Sequence, residues 1–290
     1  MPNATVTSSP AAGLVAQLAE PAETSSRRGP KRRAKTDRAD ARLLRELLEQ
    51  DRLPSSWIPP TWILDLRTTV RLRKTLVDQR TAWQQRIHAV LFHHGLPRPT
   101  QELLSHGTRA WLEGVVLPPA SRQALAVALS QIDGLDAELA PIDQWLRALA
   151  RRQPGCRALI ASHYGIGAIT APTILAELGD ARRFAGGDQV VRATGLDITV
   201  YASDGKRSPG HLSRQGPEVL RWALFEAAKA AARPSSPDYA YYQQVRARLG
   251  GNRATLAVAR KLARRVRHTL MALGDAAIAP VEDRPVAEVA

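Results

Sequence analysis

The stretch TWILDLRTTVRLRKTLVDQRTAWQQRIHAVLFHH, residues 61–94, decides the fold class. Leu64, Val70, Leu76, Trp83, Ile87, Val90 and Leu91 mark an apolar stripe along it, while Arg67, Arg71, Arg73, Lys74, Arg80 and Arg86 populate the other faces. That division is the signature of a long amphipathic helix. Gly95-Leu96-Pro97 ends it. Further on, Ser121 to Arg151 repeats the pattern with Leu125, Leu129, Ile132, Leu135, Leu139, Ile142, Trp145 and Leu149. The two segments are expected to pair as an antiparallel helical hairpin or stalk, with a shorter helix at Thr108 to Gly114 between them. Pro154-Gly155 reads as a hinge.

Before the stalk, Asp40, Ala41, Leu43, Leu44, Leu47 and Leu48 have helical spacing, with Thr36 or Asp37 as the N-cap and Asp51 and Pro54 as the stop. A turn rich in Pro and Trp follows. Residues 1–34 are rich in Ala, Pro, Ser and Thr, turn basic at Arg27 to Arg33, and sustain no hydrophobic period, so they read as a disordered basic arm. After the stalk the chain becomes compact and punctuated by glycines. Short helices are expected at 157–163, 168–178, 189–194 and 218–232, a strand at Leu196 to Ser203, and a last helix at 254–273. The tail after Gly274 is expected to fray. The expected divisions are therefore 1–34, 35–55, 56–154, 155–274 and 275–290, in a mostly α fold.

Composition narrows the function. The 290 residues are 44% hydrophobic and 23% charged, which excludes wholesale disorder and a collagen-like or disulfide-rich scaffold. Cys156 is alone, so there is no internal disulfide and no cysteine-based zinc site. No apolar run reaches the roughly eighteen residues of a membrane span, and nothing reads as an export signal, so the expected location is cytoplasmic. Lys and Arg number 41 against 27 Asp and Glu, a net charge of +14 that favours polyanionic partners.

Four places could carry chemistry. Asp37 and Asp40, three apart on a helix's first turn, share a side and could hold Mg²⁺; the same spacing also suits a capped helix start favoured by the macrodipole. Tyr164-Gly165-Ile166-Gly167, between two short helices, could bring backbone N–H groups to a phosphate, or be an ordinary tight turn. Ser203, at a strand end before Gly205, Lys206 and Arg207, could be a nucleophile, with Lys206, Arg207 and Arg214 on phosphates, or the segment could be a solvated hairpin loop. On the last helix, Leu256, Ala259, Leu262, Ala263, Val266 and Leu270 are expected to face inward and Arg260, Lys261, Arg264 and Arg265 outward, as a nucleic-acid face.

In that order, from about Lys35 to Leu273, these segments resemble the transposases of the insertion sequence 110 family, recombinases guided by a bridge RNA. Lys35-Thr36-Asp37-Arg38-Ala39-Asp40-Ala41 is similar to the end of that family's RuvC-like domain. Tyr164-Gly165-Ile166-Gly167 with Ala171-Pro172 and Glu177-Leu178-Gly179-Asp180 resembles its helix-hairpin-helix stretch, where the family usually has Pro in place of Tyr164. Gly195 through Ser203 to Gly216, then Leu220-Arg221, resembles its serine-bearing segment, and Gly251 to Leu262 its closing basic helix. The resemblance implies a compact, mainly helical transposase domain, a Mg²⁺-binding DEDD set of which Asp37 and Asp40 match the last two acids, and a serine nucleophile matched by Ser203, with Ser208 as the alternative. It also implies DNA and an element-encoded guide RNA as partners, and a homo-oligomer, dimer or tetramer, joined through the stalk.

Two departures accompany it. Asp204 stands where the family has glycine. Residues 1–34 hold no Asp, and Glu20 and Glu23 as their only acids, so the RuvC-like domain is expected to be represented only by its last helix, in a truncated chain or one completed by another. The expected function is a transposase acting through Ser203 and Mg²⁺-bound Asp37 and Asp40; the alternative is a non-catalytic remnant that holds element RNA or DNA.

Overall fold

A computed structural model describes residues 7–9, 14–27, 36–54, 56–97, 99, 102–203 and 206–281 of the chain. The fold is mostly helical, in two compact units, Met1–Thr61 and Trp62–Ala290.

The first unit corrects the reading of residues 1–34 as a featureless arm. Strand β1 (Thr7–Ser9) pairs antiparallel with β2 (Leu14–Ala16), Thr7 opposite Ala16, and helix α1 spans Pro21–Ser26. Three-residue strands are too short to leave an alternation in the sequence. What secures this region is backbone pairing across the chain: Glu20 N–H donates to the Pro54 carbonyl at 2.8 Å and Ser56 N–H to that of Leu18 at 2.6 Å. Helix α2 (Asp37–Glu49) starts as read, with Thr36 as cap, its hydroxyl accepting from Ala39 N–H at 3.2 Å.

In the second unit, α3 (Thr61–His93) and α5 (Pro119–Arg152) form the stalk, and α4 (His106–Gly114) closes its tip. Ion pairs set the register. Arg73 meets Asp143 and Arg80 meets Asp136, so a step of seven forward on α3 is a step of seven back on α5. The helices are therefore antiparallel. The apolar stripe differs from the sequence reading at the base: Ile63 and Leu66 are buried while Leu64 is 44% exposed. Ile87, Leu91, Leu103, Leu112, Leu125, Ala128 and Ile132 make the tip core, and Leu66, Val70, Leu146 and Leu149 the base, where Ala176 of the next helices joins them.

No hinge stands at Pro154-Gly155. Helix α6 (Pro154–Ser162) takes Pro154 in its first turn, where a missing N–H costs nothing. The fully buried Gln153 caps it, its Oε1 accepting from Cys156 N–H at 2.7 Å and its Nε2 donating to the Ala277 carbonyl at 2.9 Å. Gly155 has no room for a Cβ against that same carbonyl. Of the tail expected to fray, 275–290, the first residues belong to the 3₁₀ turn Gly274–Ile278, with Ala277 buried; residues 282–290 lie outside the described part.

The body consists of α6, α7 (Thr170–Leu178), α8 (Gly187–Ala193), the hairpin β3 (Ile198–Ser203) and β4 (Lys206–Leu212), α9 (Glu218–Lys229), α10 (Tyr239–Leu249) and α11 (Gly251–Leu273). Helix α10 was not anticipated, because its mixed Tyr, Gln and Arg faces bury only Tyr242. Alanines line the contact of α9 with α11, with Ala223, Ala227 and Ala228 on one and Ala254, Ala259 and Ala263 on the other, all buried. Small side chains let helices approach closely. No helix of the described residues is long and apolar enough to cross a membrane.

Candidate functional site

Ser203 ends β3 and pairs with Lys206, the first residue of β4, so it stands at the far end of the hairpin. Asp204 and Gly205 lie outside the described residues, as do the side chains of Lys206, Arg207, Ser208 and Ser203 itself.

The foot of the hairpin is fixed from several directions. Gly195 has a φ of +67°, and a Cβ there would lie 2.8 Å from both Arg221 Nη1 and Gly216 N. Arg221 donates to the Gly216 carbonyl at 3.0 Å, and Arg260 Nε to the Leu196 carbonyl at 2.6 Å. Ser213 bonds the Asp197 carboxylate by side chain and its carbonyl by N–H. Arg214 N–H donates to the Gly195 carbonyl at 3.2 Å, with Arg214 itself exposed and left-handed at φ +53°. The hairpin is thus an arm on a rigid base, and two of its guanidinium braces, Arg221 and Arg260, come from α9 and α11.

The glycines between α6 and α7 divide. Gly165, at φ +93°, abuts α9: a Cβ would clash with the Ala227 carbonyl and sit 2.8 Å from the Ala230 Cβ. Its missing side chain makes helix packing possible. Gly167 borders open space, and its N–H donates to Thr170 Oγ1 at 2.8 Å. His163, just before the turn, is buried and bonded to Thr269 Oγ1 at 2.9 Å; burial, then Arg265, holds its pKa below the usual imidazole value.

On α11 the apolar residues face inward and Lys261, Arg264 and Arg265 stay partly exposed, but these cations also have partners within the chain. Arg260 is half-buried on Leu196, Lys261 and Arg265 both bond Asp238, Arg264 bonds Asp188 at 2.8 Å, and the buried Arg267 donates to the Phe184 carbonyl at 2.6 Å. Asp238 has a side chain only 9% exposed. Its burial alone would raise its pKa, but the hydrogen bonds from Arg265 and Lys261 outweigh this and lower it. Periodicity places these cations on a face but cannot show acids from other segments folding against it.

Asp37 is exposed and Asp40 half-buried, both in the first turn of α2 in the first unit, whereas Ser203 belongs to the second. Among the described residues no three His, Cys, Asp or Glu side chains group closely enough to hold a metal ion. Two carboxylates one helical turn apart would hold Mg²⁺ only weakly by themselves, since the ion needs further oxygen ligands.

One polar cluster was missed. Glu177, its side chain 1% exposed, takes both Arg71 nitrogens at 2.7 and 2.8 Å, while Arg67 Nε donates to the Ala176 carbonyl at 2.6 Å. A lone acid in the otherwise apolar Thr170–Leu178, with two arginines four apart on a distant helix, was its only sequence trace.

Residues 157–243 match the family described as Transposase IS116/IS110/IS902 family, and residues 11–94 match a second transposase family, DEDD_Tnp_IS110. The first match runs from α6 into α10 and includes the hairpin; the second runs from β2 through α3. A probable family 20 transposase of Pseudomonas aeruginosa is 30% identical over 169 residues, 56% of this chain and 49% of that one. The transposase for insertion sequence element IS1111A of Coxiella burnetii is 24% identical over 240 residues, covering 78% and 64%. A putative transposase, y4qE, of Sinorhizobium fredii is 29% identical over 208 residues, covering 69% and 49%. The chain thus spans about half to two thirds of the length of these relatives.

Proposed function

Because the chain belongs to the insertion sequence 110 family of transposases, we propose that it acts in DNA transposition, with Ser203 as the nucleophile. The observation that supports this most is the position of Ser203 at the end of an arm whose foot is braced by Arg221 and Arg260. A braced foot fixes the direction in which the arm leaves the body. The Ser203 oxygen would form a bond to a DNA phosphorus and give up its proton. The phosphorus–oxygen bond to the neighbouring nucleotide would break, and that oxygen would take a proton as it leaves. Lys206, Arg207 and Arg214 supply positive charge for the phosphate, and Gly167 keeps the α6–α7 turn open to a helix-hairpin-helix contact.

Asp37 and Asp40 are the residues that would hold Mg²⁺, which when bound supplies positive charge to a phosphate as it is cleaved. An element-encoded guide RNA and DNA are the proposed partners, and the stalk the proposed site of self-association. The fit of Arg260, Lys261, Arg264 and Arg265 to this picture is as braces of the body, each with an internal partner, more than as a free phosphate-binding face.

A second reading, binding without chemistry, draws on Asp204, whose carboxylate beside Ser203 repels a phosphate. One experiment separates the two. A DNA substrate bearing the element junction, incubated with Mg²⁺ and run on a denaturing gel, is expected to give a protein–DNA adduct that S203A abolishes and S208A retains. An adduct that survives S203A overturns the serine assignment. Nucleic-acid binding without any adduct supports the second reading.

A further inference from the structure

Tyr164 stands in the α6–α7 turn, 41% exposed, and its hydroxyl is 2.8 Å from Ser235 Oγ. Ser235 belongs to the loop after α9, Arg233-Pro234-Ser235-Ser236-Pro237, in which two prolines fix the backbone and Ser236 is buried. The turn packs against α9, the helix that leads into this loop, by the close approach of Gly165 to the Ala227 carbonyl. The phenol ring is therefore held by its polar end and by its backbone, with a substantial part of its surface toward solvent.

The surroundings are cationic. Arg233 lies two residues before Ser235 in the loop that meets the Tyr164 hydroxyl, and the hydrogen bond from Ser235, opposed by desolvation and aided by Arg233, holds the phenol below its ordinary pKa. Arg233 is exposed and forms no ion pair among the described residues. Lys261 and Arg265 stand nearby on α11 with Asp238, three residues beyond Ser235, as their shared acid. The contrast with Tyr241 is informative. It is similarly exposed at 37%, but its ring is covered by the Lys261 ammonium at 4.7 Å. Among the described residues no cation or aromatic ring covers Tyr164.

We infer that Tyr164 is a stacking platform for one unpaired nucleotide of a bound nucleic-acid strand, with Arg233 on the adjoining phosphate. An immobilised, uncovered ring offers a base its face at little entropic cost, and a guanidinium beside it suits a phosphate oxygen. The ligand class is a single strand or an unpaired loop, since a base inside a duplex presents no free face. This inference rests on the proposal that the chain holds nucleic acid.

The test measures fluorescence anisotropy of labelled 12-nucleotide single-stranded DNA, single-stranded RNA, an abasic version of the DNA, and the blunt duplex, with the full chain. Y164A and Y164L are expected to weaken single-strand binding by about 5- to 100-fold, and Y164F by clearly less, about two- to threefold, because the ring does the stacking while the hydroxyl only holds it in place. Neither loss should appear with the duplex or the abasic strand. R233A should weaken every strand and lower the salt slope by about one. Whether DNA or RNA carries the larger Y164L effect identifies the source of the nucleotide. Y164L keeps the bulk and guards against misfolding, checked by an unchanged thermal melt. Strong single-strand binding unaffected by Y164L, or lost equally in Y164F, overturns the platform and leaves the functional proposal standing. A wild-type chain that binds none of the four overturns both.

Discussion

In the α6–α11 body alanines meet alanines; along the α3–α5 stalk arginines meet aspartates. The body buries Ala223, Ala227, Ala254, Ala259 and Ala263 together with Ile174, Leu175 and Leu224, enclosed on every side. The stalk has two thin apolar patches, separated by the Arg73–Asp143 and Arg80–Asp136 pairs. Close packing has no slack, so a change of one methylene is felt. Ion pairs near solvent fix a register with little energy. The difference suits a braced platform for the serine arm and a stalk whose length and register matter more than its stability.

The largest effect should come from cavities. Ile174→Ala in the body is expected to cost about 4 kcal/mol, and Ile132→Ala at the stalk tip about 2 kcal/mol, although both side chains are fully buried. The tip is covered by α4 and the short segments around Leu96, Leu103 and Leu117, and can partly collapse around the void. Urea unfolding of the full chain checks this; equal costs would break the comparison.

The clasp between stalk and body ranks next. Glu177 is buried while Arg71 is 55% exposed, so the two partners are not equivalent. Arg71→Ala strands a buried carboxylate and is expected to cost about 3 kcal/mol. Glu177→Gln removes the charge and frees Arg71 to turn to water, at about 1 kcal/mol. The reverse order in urea titrations would mean that α7 opens to hydrate Glu177.

How far the sequence foretold this varies with the range of the interactions. The stalk helices, the strand ending at Ser203 and the Thr36 cap were legible because each follows from neighbours within a turn or two. Helix α10 was not, since it has no clean apolar stripe. Pro154-Gly155 reads as a hinge because the partners that lock the junction at Gln153, Ala277 and Ala279, lie over a hundred residues away. The same limit governed the candidate site. The cations of α11 were visible, but Asp188 and Asp238, which engage them, are separated from them by chain folding. At Gly165 the missing side chain serves packing against Ala227, a contact that the Tyr164–Gly167 motif alone does not reveal.

A smaller effect is a matter of pH. Asp238 in the body and Asp133 in the stalk are both lowered from the ordinary Asp value of 3.8. For Asp238 two cations overcome burial; for Asp133 the hydrogen bond from Arg109 is the largest cause. A carboxylate lowered by folding stabilises the protein above its unfolded pKa, and that contribution disappears as pH falls through the folded value. Acid should therefore weaken the wild-type chain below about pH 4. Asp238→Asn should remove more of this acid dependence than Asp133→Asn, because Asp133 is well exposed and screened by solvent. Melts between about pH 5 and pH 2 check the order, and an equal loss would erase the distinction between body and stalk.

The smallest effect is expected from Arg80→Ala. Arg80 and Asp136 are 30% and 41% exposed, so their pair is half in water, and its loss should cost about 0.5 kcal/mol, less in high salt. The stalk is nonetheless expected to lose definition. With Arg73–Asp143 left as the ion pair between α3 and α5 among the described residues, the helices can shift in the stretch between the two apolar patches. The variant should melt close to wild type yet show faster amide exchange along α3 between the two apolar patches. Exchange that stays unchanged would mean that the leucines alone hold the register, and that the stalk is built on the same principle as the body.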